Sequence, residues 1–288
     1  MLKALINSMR LRTLPLSLAG VVCGALLAWP HVEARMPLWT LVTLFLTTVS
    51  LQVLTNLSNE LGDHLSGVDG EGREGPNYSM ADGGLTVGQM WCAINWTVVA
   101  CCLFGWLMVI FSFGSLLHSW EPNVLILLGA ASIWAATHYT LGKNPYGYRG
   151  LGDISVFIFF GLVSVMGGYF VLAHTLACNV LLPASGVGLL SVAVLNVNNI
   201  RDMASDKGIR KTIPLRVGSR VAKWYQTVLI VGGTLLILVQ DFRWWLCIPA
   251  SGIAVHLWMV WARNGKQLDP ALPILVLSTF LLSLMYGL

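Results

Sequence analysis

Between Arg35 and Glu60 the chain carries no charged side chain. A helix of that length crosses the hydrocarbon core of a bilayer, which takes about 20 residues over roughly 30 Å. Similar apolar runs recur along the sequence, at about residues 11–29, 38–59, 88–112, 122–141, 154–173, 178–198, 224–240, 244–262 and 270–287. In lipid, backbone polar groups must be satisfied within the segment, so runs of this length fold as helices. With 56% hydrophobic and only 10% charged residues, the composition excludes an ordinary water-soluble enzyme. The expected fold is an all-α integral membrane protein, about nine transmembrane helices in one bundle, forming one domain over residues 1–288.

The first run follows Lys3, Arg10 and Arg12 and superficially resembles a signal peptide. It is long for the apolar region of such a peptide, and "ALLAWPHVEA" offers only a weak cleavage site, so a span is expected. With the N-terminus cytoplasmic, alternating connections place every Lys and Arg on the inside except Arg35 and Arg243. That is positive-inside sorting. Among the acids only Glu33, Glu121 and Asp241 fall outside. Both signs of charge gather on one face, which is where chemistry is expected: a cytoplasmic (inner) membrane protein with its active loops in the cytoplasm. The pI near 8.8 follows from this sorting, and no basic-aromatic motif points to nucleic acid.

Other features have plain readings. Cys23, Cys92, Cys101, Cys102, Cys178 and Cys247 lie in the apolar runs without a C-x-x-C pair and read as packing residues. His138 and His256 have no partner at metal-ligand spacing and read as interhelical hydrogen-bonding groups. "GVVCG" resembles a small-residue helix contact; no motif sets the oligomeric state.

Two inside loops stand apart from the short connections: about residues 60–87, Gly-rich and polar, and about residues 199–223, where Lys and Arg surround two Asp. Their spacing is the informative part. Residues four apart share a helix face about 6 Å apart along the axis. Asn59 and Asp63 form such a pair, with Asn56 one turn earlier; Asn198, Asp202 and Asp206 form a triplet. Ionisable groups at membrane depth cost about 2.5–3.5 kcal/mol each, so they call for a partner or a function. Facing carboxylates repel unless a cation lies between them. Hard Asp and Asn oxygens suit Mg²⁺, which prefers to share its coordination with substrate phosphates. The Lys and Arg among these acids suit a polyanion rather than a bare cation site, although a basic belt against anionic lipid is the simpler reading of the cations alone. Together they indicate a metal-bound lipid diphosphate.

"NLSNELGDHLSGVD" and "NVNNIRDMASD" resemble the two Asp-rich motifs of the UbiA superfamily of intramembrane prenyltransferases. "RLRTLPLSLAGVVCG", "GREGP", "YTLGKNPYGYRGLGD" and "RKTIPLRVG" resemble the branch that acts on 1,4-dihydroxy-2-naphthoate in menaquinone biosynthesis. The resemblance extends to about residue 220. It implies a nine-helix fold, a polyprenyl diphosphate and an aromatic acid as substrates, and Mg²⁺ as cofactor. It implies metal and diphosphate binding by Asn59, Asp63, Asn198, Asp202 and Asp206. Glu60 stands where the family usually has Asp, so a carboxylate is kept on a longer arm. Asp69 fits the last acid of the first motif, and Asn56 falls on the substrate side of the stripe. Arg73, Lys143, Arg201, Arg210 and Lys211 are the expected counter-charges for the departing diphosphate. Tyr139, Tyr148 and Asp153 are expected to line the aromatic or cation pocket, although tyrosines also gather at membrane interfaces and Asp153 also suits a helix cap. The alternatives are another aromatic acceptor (4-hydroxybenzoate, homogentisate or chlorophyllide) or, from a different class, a cation or lipid transporter.

Overall fold

The computed structural model describes residues 1–67, 79–115 and 120–288, which form helices joined by short connections. A short α1 (Leu2–Ser8) precedes α2 (Leu14–Ala28), which carries Pro15 in its first turn, where the missing N–H costs nothing. The next helix, α3 (Pro37–Ser66), has 30 residues, about 45 Å of helix. It is longer than the hydrocarbon core, so its last turns carry Asn59 and Asp63 to the membrane edge. It stops at Gly67, whose φ of 75° is left-handed and whose N–H bonds the carbonyls of Asp63 and His64. Thr86 and Gln89 cap each other reciprocally at the start of α4 (Val87–Phe113).

The remaining helices are α5 (Glu121–His138), α6 (Gly152–Val156), α7 (Ser164–Ala173), α8 (Leu181–Arg201), α9 (Met203–Asp206), α10 (Ile213–Val217), α11 (Ser219–Leu238), α12 (Cys247–Ala262) and α13 (Ala271–Gly287). A π-helical stretch, Phe157–Val163, joins α6 to α7 into one rod. Among the described residues eight segments are long and apolar enough to cross a membrane, as an integral membrane protein requires. The run expected at 122–141 also forms a helix, α5, but it has only 18 residues and opens on Glu121 and Pro122. The expected count of nine is therefore approximate.

The centre of the bundle is α2, which packs on α3, α7 and α13, with Ala19 and Ala28 fully buried. The small-residue motif is used within the chain. A Cβ on Gly24 would strike the Val165 carbonyl and come 2.9 Å from the Tyr169 nitrogen of α7, so the glycine sets how closely the two helices approach. On the other side α8 lies against α11 and the π-helical rod. A buried polar chain holds it there: Asn196 Nδ2 donates to Gln226 at 2.8 Å, Gln226 Nε2 meets His256 Nε2 at 3.0 Å, and His256 Nδ1 lies 2.8 Å from the Ala271 carbonyl. With His256 donating from Nδ1, the chain runs in one direction across α8, α11, α12 and the head of α13. It fixes the rotation of α8, and hence the direction in which Asn198 and Asp202 face.

Candidate active site

Along α3 the residues Leu44, Thr48, Gln52, Asn56, Asn59 and Asp63 line one cavity. Their spacing of three or four keeps them on one face, and the row extends over 19 residue steps, about 28 Å. The cavity, about 960 Å³ in volume, thus runs through most of the membrane thickness. Its deep end is apolar, with Leu44, Met108, Leu125 and Val171; its other end is polar, with Asn59, Asp63, Asn198, Asp202 and Arg210. The π-helical rod forms part of the wall through Phe159, Phe160 and Val163. Such a shape suits an amphiphile with a charged head and a long apolar tail.

At the polar end two arginines each bridge a pair of acids. Arg210 Nη2 bonds Asp63 Oδ1, and Arg210 Nε lies 3.6 Å from Asp206 Oδ1. This contact joins the two acid-rich segments, 147 residues apart in sequence. Arg201 grips Asp202 with Nε and Nη2, both at 2.7 Å, and reaches Asp269 with Nη1 at 2.9 Å. Burial opposes the charge on Arg210, but Asp63 and then Asp206 more than offset it, so its pKa lies above the ordinary arginine value. Tyr148 donates to Asp63 Oδ1 at 2.9 Å, shares a 2.9 Å contact with Ser66, and lies under the Arg210 guanidinium, 4.8 Å from ring centre to carbon. Burial, and next the Asp63 charge, push the Tyr148 phenol up to about 12. It is a fixed donor at any physiological pH.

The amides are held too. Asn56 donates to the Met9 carbonyl at 2.8 Å and to Thr13 at 3.0 Å, and accepts from Gln52 at 3.0 Å. Thr140 donates to Asn59 Oδ1 at 3.2 Å, and Asn198, which lines the cavity, donates to the Val194 carbonyl at 3.2 Å.

Of the residues expected from sequence, Asn56, Asn59, Asp63, Asn198, Arg201, Asp202, Arg210 and Tyr139 line the cavity together. Tyr148 and Asp206 reach it through Asp63 and Arg210. Asp206 was expected on the helix of Asn198, but α8 ends at Arg201 and Asp206 closes the separate α9. Glu60 is fully buried yet does not line the cavity; its Oε1 accepts the Met80 N–H at 2.9 Å and ties α3 to the segment before α4. Asp153 accepts from Tyr225 of α11 at 3.0 Å, away from the cavity wall, and makes no cap for its helix. Lys143 and Lys211 are exposed and do not line the cavity. Asp69 and Arg73 lie outside the described residues.

Residues without an expected role also line it: Arg10, Arg12, Gln52, Lys266 and Asp269. For Gln52 a signal was present, since it stands one turn before Asn56 in an uncharged run. The hard oxygen donors of Asn59, Asp63, Asn198 and Asp202 fit a divalent cation such as Mg²⁺. Among the described residues no three acidic, His or Cys side chains converge into a ready cage, because arginines sit between the acids.

An all-helical membrane protein whose long apolar cavity ends in amides, carboxylates and arginines is of the class that handles lipid-linked anions. Residues 17–284 match the UbiA prenyltransferase family, and the chain belongs to that family. It is 41% identical over 263 residues to the 1,4-dihydroxy-2-naphthoate octaprenyltransferase of Escherichia coli K12, covering 88% of this chain and 83% of that one. It is 33% identical to the protein of the same name from Haemophilus influenzae, covering 97% and 92%. In fold it is similar to a UbiA homologue from Aeropyrum pernix K1, with TM-score 0.70 and 16% identity over 93% and 94% of the two chains. It is also similar to one from Archaeoglobus fulgidus bound to GPP and Mg²⁺, with TM-score 0.62 and 15% identity over 97% and 98%.

Proposed function

We propose that this protein is a Mg²⁺-dependent prenyltransferase that moves a polyprenyl group from its diphosphate to 1,4-dihydroxy-2-naphthoate. The carboxyl group is lost in the same conversion, giving demethylmenaquinol for menaquinone synthesis. The observation that carries this reading is the continuity of one cavity from the apolar residues Leu44 and Leu125 to the acid–arginine cluster at Asp63 and Asp202. The names of the relatives supply the acceptor and suggest an octaprenyl donor.

Each part of the site has a task in such a transfer. Asn59, Asp63, Asn198 and Asp202 would hold the cation, which supplies charge neutralisation on the leaving diphosphate when bound. Arg210 and Arg201 remain beside these acids and donate to the phosphate oxygens, a bidentate geometry suited to guanidinium. The apolar wall keeps water from the allylic centre as its C–O bond breaks. Tyr139 and Tyr146, edge-to-face with centroids 5.3 Å apart, both line the cavity, where an aromatic face stabilises developing positive charge. Diphosphate leaves with the electrons of the C–O bond, the naphthol ring bonds to the allylic carbon, and the ring loses CO₂, so that the aromatic quinol remains. The charge sorting supports an inner-membrane protein with this end of the cavity in the cytoplasm.

The test is purified protein in lipid with octaprenyl diphosphate, Mg²⁺ and a panel of aromatic acids. The expected product is the prenylated, decarboxylated naphthoquinol, lost with EDTA. Turnover of 4-hydroxybenzoate or homogentisate but not of dihydroxynaphthoate would overturn the acceptor. Retained turnover in Asp63→Ala or Asp202→Ala would overturn the metal assignment.

A further inference from the structure

The segment between α12 and α13 belongs to neither acid-rich motif, yet it puts two charged side chains, Lys266 and Asp269, on the polar end of the cavity. It is a fixed wall. Lys223 of α11 donates to the Arg263 carbonyl at 2.8 Å and to Asn264 Oδ1 at 2.9 Å. Leu268, fully buried, packs with Val197 and Ile200 of α8 and with Ala222 and Val260. Between these anchors Gly265–Leu268 makes one 3₁₀ turn, and Asp269 closes it by accepting from Arg201 at 2.9 Å.

The charges around this wall are unevenly committed. Arg201 is shared by Asp202 and Asp269, and Arg210 by Asp63 and Asp206. Each guanidinium therefore faces two carboxylates. Lys266 is exposed on the same cavity wall and has no acidic partner among the described residues. An ammonium is a compact point charge with three donors, able to follow a phosphate that changes position as it leaves.

We infer that Lys266 is a diphosphate-binding residue, its ammonium donating to the phosphate oxygens of the prenyl diphosphate from a wall outside both acid-rich motifs. The inference rests on the prenyltransferase reading. In Lys266→Met the KM for the prenyl diphosphate and the inhibition constant of inorganic pyrophosphate both rise, each about 10-fold, the loss expected for one charge-assisted hydrogen bond. The KM for the aromatic acid stays within about 2-fold of wild type. Lys266→Arg restores most of the loss, because a cation returns to the wall. A second readout needs no turnover: with Mg²⁺ present, pyrophosphate raises the melting temperature of the wild type in detergent, and Lys266→Met needs about 10-fold more pyrophosphate for the same rise. The side chain is exposed, so the variant folds. Wild-type turnover with unchanged KM and unchanged pyrophosphate affinity in Lys266→Met would overturn this inference alone. A wild type that transfers no prenyl group to any acceptor would overturn the reading beneath it.

Discussion

Replacing Arg210 by Met keeps the aliphatic stem and removes the charge that bridges the two acid-rich segments. Asp63 and Asp206, with only 6% and 3% of their side chains exposed, then face each other without the cation between them. Breaking a buried ion pair by removing one partner costs about 3–5 kcal/mol. Arg210 keeps 19% exposure, so the lower end applies, about 3 kcal/mol. For a chain of this size that is a melting temperature lower by about 6–9 °C in EDTA. A divalent cation bound at the acids supplies the missing positive charge, and at a hundred times its dissociation constant it returns about 2.7 kcal/mol. The wild type gains less from the cation, because its own guanidinium already neutralises these carboxylates. Melting curves in detergent, with EDTA and then with rising Mg²⁺, should therefore show the gap between variant and wild type closing to about 1–3 °C. The same variant should lose about 10²–10³-fold in kcat for prenyl transfer, since a group that stabilises the leaving charge is gone. A gap that stays constant from EDTA to saturating Mg²⁺ would refute the assignment of Asp63 to the cation site.

Glu60→Gln keeps an acceptor for the Met80 N–H, so the Mg²⁺ dependence of turnover should be unchanged and activity should stay within about 3-fold of wild type; a large rise in the Mg²⁺ requirement would make Glu60 a ligand after all. Asp269→Asn weakens the outer hold on Arg201 and leaves that guanidinium to Asp202 alone, so the Mg²⁺ concentration for half-maximal thermal stabilisation should rise about 3–10-fold. The raised pKa of Tyr148 means that the folded protein keeps the phenolic proton after the unfolded chain has lost it. Its contribution to stability is complete below pH 10 and disappears as pH rises through about 12. Tyr148→Phe should remove that alkaline component from thermal melts while lowering kcat/KM about 10-fold at pH 7.5. Gly161→Val drives a side chain toward the Gly188 Cα, 2.5 Å from the position of an added Cβ, and should sharply reduce the yield of folded protein.

Much of the site was legible because its spacing is local. Asn59 with Asp63, and Asn198 with Asp202, are each one helical turn apart, and that geometry holds wherever the helix goes. The break after Arg201 was not legible, because nothing in "NIRDMASD" forbids helix. Glu60 was misplaced for a reason the sequence did contain. One residue on from Asn59 is about 100° around the helix, so the two cannot share the face that Asp63 shares. Lys143 and Lys211 show the opposite limit: a loop residue's charge is visible in sequence, but whether it points inward depends on the anchoring of both loop ends.

The counter-charges were the least legible part, for an electrostatic reason. Acids that face a common cation need compensation when no cation is bound, and any arginine on the correct membrane face can supply it. Sequence therefore limits the partner only to the basic residues of one side. Choosing Arg210 for Asp63 and Arg201 for Asp269 requires the packing of α8 against α11 and the tethering of the 263–269 segment by Lys223 and Leu268. The same contacts that conceal the pairing from sequence give it a chemical use. An arginine bound to two carboxylates can loosen from one when a metal takes it and still be held by the other, so it stays within reach of the phosphate that arrives with the metal. Arg201, held at its far end by Asp269, keeps its charge at the chamber through such an exchange.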